Sequence, residues 1–318
     1  MKQTVGKPAR RAFTAFLLLL YAMNLSAQID STDRKVVLLT EEISEPENPP
    51  ETDPIPDTTN IHPVRLAIVT GTVGVTIAAI HIYQANGWWK DNRRSFHFQE
   101  DLKYGLYVDK LGHFYGATVG TFLLRKSFEW AGLSERAALW WGAGGSLLFQ
   151  TYVEIEDGFS TWGFDRVDFA ANLLGASWPV AQYYSSFLQN FDFKFSYHPS
   201  PALNNPGGIG FQGQRHIMFD DYEGQTLWLS MNVHNVLPSA VQPFWPEFLN
   251  LAIGYGARDV LGKKPYSVVF LALDLDMRKV IPDSTPFLKL LGEALNFIKF
   301  PAPAVRISPG AVWYGIYF

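Results

Sequence analysis

From Val64 to Tyr83 the chain is almost wholly apolar, and its length suits either a membrane span or a buried helix. Gly71 and Gly74 in that run would let a second helix approach closely. His81 near its end reads as an interfacial polar residue, and Gly87-Trp88-Trp89-Lys90 as an interfacial anchor. Asn92 to Lys103 is polar, predicted to lie outside a bilayer and to be partly helical. Three apolar stretches of helical period follow, at roughly residues 108–130, 135–156 and from 165 onwards. In the first, Asp109 and His113 share a face that Gly116, Ala117 and Gly120 continue. In the second, Ser134 has N-cap chemistry, and Gly142, Gly145, Ser146, Gln150 and Glu154 again form a face of small and polar residues. Asp157-Gly158 supplies a stop. In the third, Asp165 suits the N-cap and Asp168 the capping-box position, with Asn172, Gly175 and Ala176 on one face and Pro179 expected to kink the helix. Three such faces should pack towards one another.

After Leu188 the period changes to two. Phe191, Phe193, Phe195 and Tyr197 alternate with Asp192, Lys194 and Ser196, and similar alternation recurs over residues 227–234, 249–256, 269–277 and 312–318. Repeated so often, it predicts an antiparallel sheet or partial barrel. A terminal Phe318 on an amphipathic strand fits an outer-membrane barrel, yet five to seven strands fall short of the usual minimum of about eight. Residues 198–216 read as a long Pro- and Gly-rich loop, and Pro286 to Phe297 as a short amphipathic helix. The predicted fold class is α+β: a membrane-associated bundle of about four helices over residues 64–190, then an antiparallel β region over 191–318.

Composition adds an address. Only 18% of residues are charged and 15% are aromatic, which suits a chain with a lipid-facing surface. Lys2, Lys7, Arg10 and Arg11 precede an apolar run from Phe13 to Met23 and a small-residue site at Leu25-Ser26-Ala27, so residues 1–27 read as a signal peptide cleaved after Ala27. Losing those four basic residues takes the formal charge from −4 to −8, leaving no basic surface for nucleic acid. Residues 28–63 are acidic and Pro-rich, predicted to be a disordered tether. With no cysteine in the sequence, disulfides, thiolate chemistry and lipid attachment through a cysteine are excluded. Exported in this way, the protein is expected in the cell envelope, at the outer membrane or a periplasmic membrane surface.

Ionisable residues in such apolar helices are costly unless paired, hydrated or bound to something. His113, Glu154, Asp157, Asp168 and Asn172 are therefore the candidate site, with Asp109, Lys110 and Asp165 as supporting groups. Three readings stand side by side. In one, the residues form a polar network that pins the helices. In another, His113 is a general acid or base oriented by Asp109 or Asp168 with Glu154 as partner, or a divalent metal is held by His113, Glu154 and Asp168 in a metal-assisted hydrolase. In the third, the aromatic loop of residues 158–164, with Phe159 and Trp162, binds a cationic or hydroxyl-rich headgroup of membrane lipid or envelope glycan.

The run Asp109-Lys110-Leu111-Gly112-His113-Phe114, with Glu154 and Asp157, then Asp168 and Asn172-Leu173-Leu174-Gly175, resembles the YfiM-like predicted periplasmic lipoproteins, a family of unknown function. Its Asp-Lys-x-x-His, Glu and Asp-x-x-x-Asn pattern is more distantly similar to the VanZ-like membrane proteins. The resemblance covers about residues 105–180 and implies an envelope protein with a helical core. The chain departs from it in lacking a lipoprotein cysteine and in carrying the β-rich C-terminal region.

Overall fold

The computed structural model describes residues 59–317, apart from 88, 103, 205–217, 220, 261 and 263. The expected signal peptide at 1–27, the tether up to residue 58, Trp88, Phe318 and most of the 198–216 loop lie outside the described residues. Residues 57–276 and 296–318 belong to one compact unit, and 277–295 fall in another. In the latter, Pro286–Leu295 is helical and its Gly292 lies against the backbone of Met277 and Arg278.

Helix α1 (Pro63–Asn86) begins with proline at its first turn, where a missing N–H costs nothing. Its 24 residues bury only Val69 and Gln84. A Cβ placed at Gly71 or Gly74 would meet nothing within 4 Å, so the close helix approach expected there is not made by any described residue. His81 instead hydrogen-bonds the hydroxyl of Tyr152. The segment after α1 corrects the expectation of partial helix. It runs extended, with isolated bridges from Arg93 to Ser160 and from Phe98 to Phe164. It ends in a left-handed turn in which Leu106 and Tyr107 have φ of 51° and 69°. Non-glycine residues adopt that region only where the surroundings enforce it. Here Tyr255 donates to the Leu106 carbonyl at 2.8 Å, and Gly105 lies so close to the Tyr222 ring that a Cβ would be 3.0 Å from it.

Three helices follow: α2 (Val108–Trp130), α3 (Glu135–Gly158) and α4 (Arg166–Tyr184). Their caps are those the sequence predicts: Ser134 accepts from Ala137 N–H at the start of α3, and Asp165 accepts from Val167 N–H at the start of α4. Pro179 lies inside α4, which continues to Tyr184. Small residues let the three backbones touch. A Cβ on Gly142 would lie 2.8 Å from the Arg125 amide, and one on Gly175 would collide with the Phe114 carbonyl. Hydroxyls seal the seams: Ser146 donates to the Ala117 carbonyl at 2.8 Å and Thr118 to the Gly175 carbonyl at 2.9 Å.

The sheet is a six-stranded antiparallel meander in the order β1 (Phe191–Tyr197), β2 (Gln225–Met231), β3 (Leu249–Arg258), β4 (Tyr266–Leu275), β5 (Ala302–Ser308) and β6 (Val312–Tyr317). Four alternating runs in the sequence mark β1 to β4 and a fifth marks β6. β5 carries Pro303 and a bulge beside it, so its alternation is broken. The meander curls on itself: Tyr317 of β6 packs edge-on against Trp228 of β2 and accepts a hydrogen bond from Arg258, and β1 bridges to Ile298. Helix α2 packs on this sheet through Val108, Leu227 and Ala257, through the Phe114–Phe193 ring contact at 4.4 Å, and through Tyr115, which donates to the Phe297 carbonyl at 2.8 Å.

Candidate functional site

The site is built where one end of α2 meets the C-terminal end of α3 and the N-terminal end of α4. Lys110, one residue after Asp109 on α2, points its ammonium into a nest of four carboxylates. It donates to Asp109 at 3.0 Å, to Asp165 and Asp168 at 2.9 Å each, and to Asp101. Asp165 is held from behind by the Asp101 amide at 3.1 Å and the Val167 amide at 2.7 Å, so one side chain caps α4 and anchors Lys110 together.

His113 lies one turn further along α2, between carboxylates on both edges of its ring. Nδ1 faces Glu154 at 3.3 Å and the Asn172 side-chain oxygen at 3.3 Å, and Nε2 faces Asp109 and Asp168 at 3.8 Å each. The Asn172 amide donates to Glu154 at 3.3 Å, closing a loop through all three helices. Asp109 also accepts from the Tyr222 hydroxyl at 2.7 Å, and Asp157 accepts from the Trp89 indole at 2.7 Å. Glu154, Asp165, Asp168 and Asn172 are buried, while the His113 side chain keeps 22% of its exposure.

Five carboxylates thus share two cations, with Asp157 at the edge, and their titrations diverge accordingly. Burial pushes Glu154 up to about 8, only partly offset by His113. It pushes Asp168 up to about 7 and Asp157 to about 6, where the Trp89 hydrogen bond holds the shift back. Asp165 goes the other way, to about 2, because the Lys110 and amide hydrogen bonds outweigh its burial. Burial works against a charged His113, yet Asp109, Asp168 and Glu154 together raise it to about 9. Lys110 is likewise held in its charged form by Asp109 and Asp168.

Of the residues singled out from sequence, His113, Glu154, Asp168, Asn172, Asp109, Lys110 and Asp165 come together. Asp157 stands at the edge, acting on His113 by charge at a distance. Phe159 and Trp162 lie beside the cluster rather than in it. Phe159 packs edge-on against Phe96 at 5.2 Å, in an aromatic group with Phe98 and Phe164, and Trp162 is half-buried. Sequence reasoning missed Asp101, Tyr222 and Trp89. Asp101 follows Glu100 in a polar stretch and Tyr222 comes more than a hundred residues later, so no local period marks either.

The set named for a metal from the sequence, His113, Glu154 and Asp168, is not gathered about one point in this arrangement. Glu154 and Asp168 face opposite nitrogens of one imidazole. The donor atoms that do lie within 4.8 Å of one another are those of Asp109, His113 and Asp168, and of Asp101, Asp165 and Asp168. The Lys110 ammonium is already bonded to aspartates of both sets.

Residues 97–184, which hold nearly all of this cluster, match the model of a family described as a predicted periplasmic lipoprotein (DUF2279). The match carries the coarser resemblance; the YfiM-like and VanZ-like likenesses rest on the quoted motifs. No curated protein and no solved structure matches the chain.

Proposed function

We propose that the chain is a cell-envelope protein held at a membrane by α1, in which His113, Glu154, Asp157, Asp168 and Asn172 form an acid–base site for a hydroxyl-rich or amine-bearing group of membrane lipid or envelope glycan. The observation that carries this reading is a partly exposed imidazole flanked by Asp109, Asp168 and Glu154. Glu154 and Asp168, raised to about 8 and 7, change protonation near neutral pH, and His113 at about 9 carries a proton it can give up. The carboxylate excess repels phosphate and favours hydroxyls or an ammonium. Exposed Phe96, Phe98 and Phe159 beside the cluster offer faces for a sugar ring or a lipid surface. An envelope location is supported by the family description over residues 97–184, and membrane attachment by the length and exposure of α1.

The pinning network is the second reading, favoured by the Asn172–Glu154–His113 loop that links three helices. Mass spectrometry of the full chain purified in mild detergent separates the two. Wild type is expected to carry a sugar- or amine-bearing lipid or glycan that His113→Gln loses while melting within a few degrees of wild type. Equal retention by both proteins, or nothing bound to either, overturns the site reading.

A further inference from the structure

The sheet is apolar on both faces, with a buried cluster of Trp228, Ala252, Val268, Phe270, Ala272 and Ala304 inside and all the charge of β1 to β4 on that same inner side. In β1 to β4 one set of alternate residues faces the curled interior and the other faces outwards. Every charged residue of those strands, Asp192, Lys194, Arg258 and Asp274, belongs to the interior set. Lys194 and Asp274 are fully buried there, paired at 2.7 Å, with Asp274 also accepting from Ser230 at 2.6 Å. Apart from Gln225 and Ser267 near strand ends, the outward set is apolar. The register lines up Leu229, Ile253, Leu271, Val305 and Trp313 as one row across five strands, each residue directly opposite the next. Ile253 is 55% exposed and Trp313 65%, with Leu229 and Leu271 exposed between Trp313 and the part of the face that α2 covers. A half-covered antiparallel sheet in water turns its polar set outwards. An outer face that is apolar and free of charge, with every charge turned inwards, is the order of a sheet whose outer face meets hydrocarbon.

We infer that the uncovered outer face of β2 to β6 is seated in the acyl-chain layer of the membrane that α1 enters. Lipid is chosen over a second copy of the chain because α1, in the same compact unit, is exposed along nearly its whole length on every side but the face of Arg65, Val69, Thr72, Val73, Ile80 and Gln84. One protein partner would cover a single side of such a helix, whereas acyl chains cover every open side. Both surfaces lack charge and both are continuous enough to be costly in water. Nor does the curled sheet enclose a pore, since its interior is filled by Trp228, Phe270 and the Lys194–Asp274 pair.

The inference rests on membrane placement and not on the chemistry at His113. Flotation of the unlabelled full chain with phosphatidylethanolamine–phosphatidylglycerol vesicles tests the placement by itself. The sheet is tested by nitroxide labels, for which the absence of native cysteine is convenient. Ile253→Cys, Leu271→Cys and Trp313→Cys are labelled one at a time in those vesicles, with Glu135→Cys as a water-exposed reference. Collision with oxygen several-fold above collision with a water-soluble nickel chelate, reversed at Glu135, supports the inference. Nickel collision at the three sheet positions equal to that at Glu135 overturns it, even when the chain floats. Low collision with both reagents, with a short label-to-label distance between copies, overturns it in favour of a dimer. Leu271→Arg adds a second measurement: it is expected to release sheet labels at Ile253 and Trp313 to the nickel reagent.

Discussion

Two buried charge clusters in one chain are arranged on opposite principles. Inside the sheet, Lys194 meets Asp274 at 2.7 Å and also donates to Asn296 at 2.9 Å and to the Leu275 carbonyl at 2.7 Å, so its three protons are all used. Both partners are sealed from solvent. At the helix ends five carboxylates share Lys110 and His113, and the His113 side chain keeps 22% of its exposure; each cluster leaves one carboxylate oxygen without a hydrogen-bond partner, on Asp168 here and on Asp274 in the sheet. The first arrangement sets two buried ammonium groups, Lys194 and Lys299, about one carboxylate and fixes a shape. The second leaves an excess of carboxylate at a partly exposed imidazole, which is the feature the proposed site rests on.

Removing the lysines breaks the contrast most severely. Lys110→Met leaves four aspartates without their shared cation, and Lys194→Met strands Asp274, each at a cost of about 3–5 kcal/mol in denaturant unfolding. The rescue should differ. Adding Asp274→Leu to Lys194→Met recovers most of the loss, because no buried carboxylate is then left behind and only Lys299, 3.9 Å away, loses a partner. No single Asp→Asn change at 101, 109, 165 or 168 rescues Lys110→Met to the same degree. Equal rescue in the two regions would erase the distinction.

Titration sharpens it next. Glu154 and His113 both bind protons more tightly when folded, Glu154 rising from 4.5 to about 8 and His113 from 6.5 to about 9. A native state that holds more protons than the unfolded chain loses stability as pH rises. The melting temperature should therefore fall between pH 6 and pH 9, by an amount equivalent to about 1–3 kcal/mol. Asp165 acts in the opposite sense, and its contribution is lost only as pH falls from 4 towards 2. Glu154→Gln should melt near wild type at pH 5 and above it at pH 9, since the amide imitates the protonated acid. A wild-type melting curve flat from pH 6 to 9 would mean that the cluster is as settled as the sheet pair.

The smallest effect belongs to the aromatic rim. Phe159 is exposed and touches Phe96 at one edge, so Phe159→Ala should cost within about 0.5 kcal/mol in unfolding while lowering retention of any bound lipid or glycan. A larger loss of stability would make the rim structural.

Much of this is legible along the chain because local rules govern it. The caps at Ser134 and Asp165, the small-residue faces at Gly142 and Gly175, and the period-two runs depend on neighbours within a turn or a strand, where spacing alone sets which side chains share a face. Asp109 and His113, four apart, and Asp168 and Asn172, also four apart, are found in that way. Their meeting is not local. Which imidazole nitrogen faces Glu154, the entry of Asp101 through a left-handed turn, and the reach of Tyr222 to Asp109 are fixed by how the segment before α2 folds back onto α4 and the sheet. The sheet shows the same division. Alternation marks two faces for each strand, and it does not say which face turns inwards. Curling decided that, by enclosing the charged set with Trp228 and Phe270 and leaving the apolar row outside, because a tightly coiled sheet seals its concave face against its own strands.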